Sequence, residues 1–401
     1  MSRLPLLFRP VVFTIAFCFA SLAAIRADDS SNQPLTPPAP ALSAQEPGTW
    51  INVTPPDLLL KSKPFGTQSI YADPARPGDI YCMGNAGGLW KSTDFGTSWV
   101  HSDLVSIYAM AIDPNPKRDP ATPPTLWACG YYAGGALRSI DGGKTWAIYK
   151  LNTLKGNGQQ EDEPYDFEID PTDSNHLLVG IHQTTGVYES HDGGKTWTRI
   201  KAADNKVGGS LYCFFIDPSP DEIKAGATKS STWLTISQVG SGGTFRTTDG
   251  GATFTQVEKL QHLHGNAQMF NAGGGVVYMA GIGGTQGKGV YRSADYGMTW
   301  TRVNGEKGPN DPGDIYGIGE NDVYGTPNYI YAENGWATGG EYPPNLERAP
   351  RATGTKGAWT KYYPNAPMTN GSGHAAVTFD GKHYVILTAN WHSGVWRYVE
   401  Q

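Results

Sequence analysis

Two histidines, His264 and His374, are the side chains in this sequence best suited to proton transfer near neutral pH. Each stands beside a glycine, which leaves room for a ligand to approach the chain. Tyr165 and Tyr212 precede the predicted first turns of two repeats by the same five residues, so they occupy equivalent places. A histidine that takes a proton and a tyrosine that gives one form a base and acid pair. We therefore predict these four residues as catalytic, although a tyrosine at such a place also serves as core packing.

A second group of residues offers carboxylate, amide, imidazole and indole groups near the same predicted strand ends. Flat rings stack on the C–H faces of sugars, while amides and carboxylates bond their hydroxyls. The predicted substrate-binding residues are Asp166, His182, Asn266, Trp336, Trp391 and His392. No metal and no cofactor is predicted, because the sequence has neither a zinc-spaced cysteine pair nor a His-Glu-x-x-His motif.

An eight-residue pattern organises the elements that must position these side chains. It occurs five times, with starts 46 to 57 residues apart, which indicates a repeated supersecondary unit. Its aspartate can accept hydrogen bonds from the N–H groups of its own turn, its fifth residue is a glycine suited to positive φ, and an aromatic residue anchors the next strand. The copies are Ser92–Trp99, Ser139–Trp146, Ser190–Trp197, Thr247–Phe254 and Ser293–Trp300.

The pattern resembles the Asp-box, or BNR repeat, and the resemblance extends from about residue 49 to the end of the chain. It implies a β-propeller, the fold of sialidases, xyloglucan-cleaving glycosidases, the sortilin luminal domain and a photosystem assembly factor. Because these proteins differ in activity, the repeat identifies a fold and not a reaction.

The chain is accordingly predicted to be all-β, a single seven-bladed β-propeller of four-stranded antiparallel blades. The sixth blade has a degenerate box, of which Gly357-Ala358-Trp359 is the remnant. The segment Thr49–Val53 resembles the strand that follows a box, so the N-terminal strand is expected to join the last blade and close the ring. The predicted blades are 66–102, 105–151, 163–202, 208–258, 263–304, 314–362 and 372–400.

Hairpins in such blades alternate between two faces. The Asp-box turns and the first turns, often Asp-Pro, share one face, which repeats the same residues as a scaffold does. The opposite face varies from blade to blade, and we expect the site there, at the channel mouth between blades three, four, five and seven.

Resemblance leaves two classes of function open. The first is a carbohydrate-active enzyme, either a glycoside hydrolase or a polysaccharide lyase that acts on uronates with histidine and tyrosine. A sialidase is not expected, because the Arg-Ile-Pro motif is missing and Arg138, Arg246 and Arg292 stand on the scaffold side. Xyloglucan-cleaving relatives place two aspartates between two propellers, whereas one propeller is predicted here. The second class is a non-catalytic glycan-binding, protein-binding or assembly propeller.

Composition and the N-terminal residues indicate where the protein acts. Residues 1–27 read as a signal peptide, 28–47 as a disordered Pro/Ser-rich linker and 48–401 as the propeller, so we expect a secreted or periplasmic protein with no membrane association after cleavage. The net charge of -6 and the lack of basic runs argue against nucleic acid as a partner. A carbohydrate partner and a monomer are expected. Cys82, Cys129 and Cys213 are predicted to be buried and reduced, since equivalent strands of neighbouring blades lie too far apart for a disulfide.

Overall fold

Seven four-stranded antiparallel sheets form the described part of the chain in the computed structural model. The structure describes residues 41–60, 66–84, 88–102, 107–130, 136–149, 151, 164–181, 186–203, 207, 212–237, 242–262, 268–304, 322–333, 346–355, 358–361, 368 and 374–401. The side chains at positions 68, 107–109, 165 and 361 are outside that description. The predicted all-β, seven-bladed propeller is confirmed.

The first four sheets follow one another along the chain, each running from an inner to an outer strand. Blade 1 consists of β2 (Thr67–Asp73), β3 (Arg76–Gly84), β4 (Gly88–Ser92) and β5 (Val100–Ser102). Blade 2 consists of β6 (Ile107–Ile112), β7 (Leu126–Gly130), β8 (Ala136–Ser139) and β9 (Ala147–Tyr149). Blade 3 consists of β10 (Pro164–Asp170), β11 (Asp173–Ile181), β12 (Val187–Ser190) and β13 (Thr198–Ile200). Blade 4 consists of β14 (Tyr212–Phe215), β15 (Trp233–Ile236), β16 (Thr244–Thr247) and β17 (Thr255–Glu258).

The remaining sheets complete the ring. Blade 5 consists of β18 (Phe270–Gly273), β19 (Val276–Gly281), β20 (Gly289–Ser293) and β21 (Thr301–Arg302). Blade 6 consists of β22 (Asp322–Gly325), β23 (Tyr329–Glu333), β24 (Leu346–Pro350) and β25 (Thr360–Lys361). Blade 7 consists of β26 (His374–Phe379), β27 (Tyr384–Ala389), β28 (Val395–Val399) and, as its outer strand, β1 (Trp50–Asn52).

The helical elements of the described chain are short. They are the 3₁₀ turns Leu42–Ala44 and Lys201–Ala203 and the helix α1 (Pro220–Lys224). None of the described helices has the length and apolar character needed to cross a bilayer. The second strands of the blades are buried along most of their length, as in β3 and β11, because each sheet is packed between two neighbours.

The N-terminal strand closes the ring, as predicted. Trp50 pairs with Tyr398 in the register of β1 and β28, and their ring centroids lie 5.1 Å apart. Just before this strand, the Gln45 amide donates to the Arg397 carbonyl at 3.1 Å, and Arg397 Nε donates back to Gln45 Oε1 at 2.7 Å. The end of the segment predicted as a linker therefore contacts the last blade.

Each Asp-box turn is held by its own aspartate. Asp141 Oδ1 accepts the backbone N–H groups of Lys144 and Thr145 at 3.0 and 2.9 Å, and Oδ2 accepts the Thr145 hydroxyl at 2.6 Å. The Gly143 N–H donates to the Ser139 hydroxyl at 2.8 Å, with Gly143 at φ 89°. The predicted role of the aspartate is confirmed. The same carboxylate-to-N–H bond recurs at Asp94, Asp192, Asp249 and Asp295.

Replacing one box aspartate should destabilise the fold without altering function. The hydrogen bonds from Thr145 lower the pKa of Asp141 to about 2, which shows how strongly the turn favours the ionised carboxylate. We expect Asp141→Ala to lower the free energy of unfolding by about 1–3 kcal/mol, because turn N–H groups lose their acceptor. Denaturant unfolding measures this, with the exposed Asp221→Ala as control. A variant with wild-type stability would contradict the assignment.

Arginines of two third strands tie their blades to the box of the next blade. Arg246 Nε donates to the carbonyl of Tyr296 at 2.8 Å, and Arg397 Nη1 donates to the carbonyl of Phe95 at 2.9 Å. Tyr296 and Phe95 are both the fourth residue of a box. Arg246 also forms a bidentate pair with Glu222 at 2.6 and 2.7 Å. Arg246 lies on the scaffold side, as the sequence indicated, and Arg397 makes the same kind of contact.

Apolar side chains fill the spaces between blades. The largest cluster joins blades 2 to 5 and includes Trp127, Phe167 and Tyr291. Cys82, Cys129 and Cys213 are buried and unbonded to one another, as predicted. Burial raises the pKa values of the Cys82 and Cys213 thiols, so both stay protonated and serve as packing groups.

Candidate functional site

A cavity of about 720 Å³ occupies the centre of the ring. Side chains from the inner strands of blades 1, 2, 3, 4, 5 and 7 line it, and it reaches as far as the first turns at Pro74, Pro114 and Pro171. Those turns share a face with the Asp-boxes. The described cavity therefore extends along the channel toward the box face.

Two carboxyl groups of β10 project into this cavity. Phe167 and Ile169 pack into the core between blades, so the alternation of a strand directs Asp166 and Glu168 toward the channel. Glu168 Oε1 accepts the backbone N–H of Phe215, on the neighbouring strand β14, at 3.2 Å. Asp166 is likewise held by a backbone N–H of that strand, at Cys213. Both carboxyl groups thus bond the free edge of the next inner strand.

Burial shifts both of these carboxyl groups toward the protonated form. It raises the pKa of Asp166 to about 7, although the N–H groups of Phe167 and Cys213 favour the carboxylate. Burial, followed by the charge of Asp166, raises the pKa of Glu168 well above its ordinary value. Both side chains keep some contact with the cavity yet lie deep in the protein. Burial therefore makes both groups of the pair harder to ionise than exposed carboxyl groups.

His374 lines the same cavity and is held by blade 1. Its Nδ1 lies 2.8 Å from the carbonyl of Ile70, and because a carbonyl only accepts, Nδ1 carries the hydrogen and Nε2 is left as the acceptor. Burial lowers the pKa of His374 to about 4, so the imidazole is neutral at pH 7. The Tyr71 ring lies 4.4 Å from the imidazole. Burial, and then the charges of Asp166, Glu168 and Asp322, raise the pKa of Tyr71, which remains a hydroxyl donor.

An amide draws blades 5 and 7 together beside the channel. Gln268 Nε2 donates to the Ala375 carbonyl at 2.8 Å, and the Ala375 N–H donates to Gln268 Oε1 at 3.1 Å. The Gln268 backbone also bridges to Asp322 at the start of β22. One side of the channel is therefore fixed by a residue that contacts blades 6 and 7 together.

Blade 6 contributes a second pair of buried carboxyl groups. Asp322 and Glu333 stand opposite each other in the register of β22 and β23, and both are fully buried. The Tyr324 hydroxyl donates to Glu333 Oε1. Burial, followed by the charge of Glu333, raises the pKa of Asp322 well above its ordinary value. This pair was not anticipated from the sequence.

The structure brings three of the predicted site residues together, because Asp166, Tyr212 and His374 all line the cavity. The side chain of Tyr165 is outside the description, although its backbone belongs to β10. His374 has Tyr71 beside it, which was not selected from the sequence, while the ring of Tyr212 contacts His262 edge-on, with centroids 4.5 Å apart. Four predicted residues lie outside the described residues: His182, His264, Asn266 and Trp336.

Two of the three predicted residues of blade 7, Trp391 and His392, lie away from the cavity lining. Trp391 is buried and exchanges backbone hydrogen bonds of 2.9 and 3.1 Å with Thr67, so it joins blade 7 to blade 1. Its indole, at 3% exposure, is not presented for stacking on a sugar. His392 follows it and is exposed.

One histidine outside the channel lies between two carboxylates. His176 is buried, and its two ring nitrogens lie 2.9 Å from Asp170 Oδ2 and 2.9 Å from Glu189 Oε1. Burial opposes protonation, but these hydrogen bonds dominate and raise the pKa of His176 to about 9. His191 is exposed, as expected for the second residue of a box.

Comparison with known proteins agrees with this architecture. The family model described as the BNR/Asp-box repeat matches residues 188–199. A xyloglucanase from a Paenibacillus species is 26% identical over 310 residues, which are 67% of this chain and 28% of that protein. This chain spans about a quarter of the length of the curated xyloglucanases it matches.

Solved structures share the fold. The xyloglucanase of glycoside hydrolase family 74 from Xanthomonas campestris superposes with a TM-score of 0.59 at 18% identity, covering 87% of this chain and 53% of that one. A YCF48 protein solved with a D1 peptide has a TM-score of 0.49 at 17% identity, covering 90% of this chain and all of that one, 100%. The sheets, the boxes and the matched repeat model lead to one identification: the chain is a BNR/Asp-box repeat β-propeller, with xyloglucanases among its distant relatives.

Proposed function

We propose that this protein is an extracytoplasmic glycoside hydrolase that cleaves a neutral polysaccharide or oligosaccharide in its central channel. The observation that carries the proposal is the pair Asp166 and Glu168, two carboxyl groups on one strand that face one cavity and have raised pKa values. Residues two apart on a strand point to the same face, so these two carboxyl groups reach the cavity side by side. Glycoside hydrolysis uses a pair of carboxyl groups, one as acid and one as base or nucleophile.

The environments of the two groups suggest separate roles. Glu168, whose pKa burial raises well above its ordinary value, is the candidate general acid, which protonates the glycosidic oxygen as its bond to the anomeric carbon breaks. Asp166, with a pKa of about 7, is the candidate base or nucleophile. Water adds to the anomeric carbon and a new reducing end forms. His374 and Tyr71, first considered for acid–base chemistry, fit better as hydrogen-bonding groups for sugar hydroxyls.

The charge of the lining favours a neutral glycan over a uronate. Among the described lining residues, Lys229 is the one cationic side chain, and it is paired with Asp217 at 2.8 Å. Elimination from a uronate requires its carboxylate to be neutralised, whereas the one cationic side chain of the described lining already pairs with Asp217. A hydrolase is therefore a better match to these residues than a lyase. Distant likeness to xyloglucanases supports a carbohydrate substrate.

The second candidate is a non-catalytic glycan- or protein-binding propeller. Asp166, Glu168 and His374 each already bond the backbone of a neighbouring inner strand. Such bonds satisfy edge groups that would otherwise be unpaired in the channel wall, which is a structural role in itself.

A substrate panel distinguishes these candidates. The chain expressed from residue 28 should be incubated with xyloglucan, mixed-linkage glucan and polyuronates, while reducing ends and the absorbance of unsaturated uronates are followed. New reducing ends from a neutral glycan, lost in Asp166→Asn and kept in the exposed Asp221→Asn, would support the hydrolase. Unsaturated uronate products would overturn it in favour of a lyase. Glycan retention without cleavage would overturn it in favour of a binding protein.

A further inference from the structure

Blade 3 departs from the other blades at one position of its third strand. In every blade this residue pairs with the middle of the second strand. Six blades carry a cation there and blade 3 carries Glu189. The cations are Lys91, Arg138, Arg246, Arg292, Arg348 and Arg397.

Two histidines unique to blade 3 converge on this exceptional glutamate. His176 Nε2 lies 2.9 Å from Glu189 Oε1, and His191 Nε2 lies 3.3 Å from the same oxygen. The imidazoles are stacked, with centroids 4.5 Å apart and an interplanar angle of 16°. In the other clear boxes the place of His191 is taken by threonine, isoleucine or alanine. Three departures from the repeat thus meet at one point.

We propose that His176, Glu189 and His191 bind a divalent transition-metal ion of the zinc type on the Asp-box face of blade 3. Their ligand atoms all lie within 4.8 Å of one another. Two imidazole nitrogens and a carboxylate oxygen are ligands that zinc accepts, with bond lengths of about 2.0–2.2 Å, and a fourth position is left open to water. Imidazole ligands favour zinc over calcium or magnesium.

The surroundings of His176 match those of a metal-binding histidine. Its Nδ1 lies 2.9 Å from Asp170 Oδ2, which orients the ring and leaves Nε2 to face the ion. Asp170 is itself fixed by the Thr172 N–H at 2.7 Å. Phe215 packs edge-on against the buried imidazole, 5.1 Å away. His191 is the mobile partner, because 68% of its side chain is exposed. Binding would displace the proton from the His176–Glu189 contact.

Titration of the chelator-treated protein with zinc by calorimetry tests the site. We expect one zinc ion per chain, a higher melting temperature on zinc addition, and a loss of affinity of about 100-fold or more in His191→Ala. Because His191 is exposed, this variant should fold normally. His383→Ala is the matched control, since His383 also lies on the box face beside one carboxylate, Asp380, at 3.6 Å.

A second variant and a second ion make the result decisive. Glu189→Gln should also weaken zinc binding, and cobalt should give a visible absorption spectrum in wild type that both variants lose. Asp166→Asn should bind zinc like wild type, because the channel lies elsewhere. Absence of zinc binding, or equal affinity in wild type and His191→Ala, would overturn the proposal while leaving the channel proposal intact.

Discussion

Asp166→Asn is expected to lower kcat/KM for a cleaved neutral glycan by about 10²–10⁴-fold, the usual contribution of a general base or acid. The change keeps the shape of the side chain but removes the group that ionises near pH 7. In wild type, kcat/KM should rise about tenfold per pH unit below about 7 as Asp166 ionises, and fall at higher pH where Glu168 loses its proton. Reducing-end assays across pH 4–10 measure both effects.

Stability separates this catalytic role from damage to the fold. Burial raises the pKa of Asp166 to about 7 in the folded protein. Between about pH 4 and pH 7 the folded protein therefore keeps a proton that the unfolded chain releases. As a result, the free energy of unfolding falls as the pH rises through that window. Asp166→Asn removes this effect. Relative to wild type, the free energy of unfolding of the variant should therefore increase by up to about 4 kcal/mol as the pH is raised from 4 to 8. A variant that is inactive because it is unfolded at pH 7 would contradict the assignment.

Removal of residues 48–54 should unfold or aggregate the protein. The deletion strips β1 from blade 7, exposes the edge of β28 and removes Trp50, a side chain with 2% exposure. The milder change Trp50→Ala should lower the free energy of unfolding by about 3–5 kcal/mol, since a large buried aromatic side chain is lost. Thermal melting and size-exclusion chromatography provide the measurements.

Two controls define the closing segment. Removal of residues 28–40 should leave the melting temperature unchanged. The deletion ends before Gln45 because that side chain is hydrogen-bonded to Arg397. Val100→Ala, on the exposed outer strand of blade 1 at 71% exposure, should also be neutral. If the deletions of 48–54 and 28–40 were equally stable, β1 would not be what closes the ring.

The repeat made most of the fold predictable. Five boxes fixed the blade period, and the likeness of Thr49–Val53 to a strand after a box identified the closing element. These inferences succeed because box turns are local: the carboxylate, hydroxyl and glycine that make each turn lie within eight residues. The partners of Arg246 and Arg397 in the next blade were beyond such local patterns, although the scaffold position of Arg246 was predicted from the box that follows it.

The candidate site was only partly predictable, because channel residues are brought together from distant blades. Asp166 and His374 were selected from their places at strand starts, and both line the cavity. Glu168 was missed, although the alternation of acidic and apolar residues from Asp166 to Asp170 carried the signal. Tyr71 could be recognised only once blade 1 was placed beside blade 7. Trp391 was selected for its indole. That side chain is buried where the backbone of Trp391 pairs with Thr67.

The bonds from third-strand arginines to the next box have a consequence for the ring as a whole. Arg246 reaches the box of blade 5 from a blade of four consecutive strands, whereas Arg397 reaches the box of blade 1 from blade 7, which combines β1 with β26, β27 and β28. The donor residue type, the acceptor carbonyl and its position in the box are the same in both. These two junctions therefore run in the same direction around the ring, from the third strand of one blade to the box of the next, and the blade assembled from distant parts of the chain makes this contact just as an ordinary blade does.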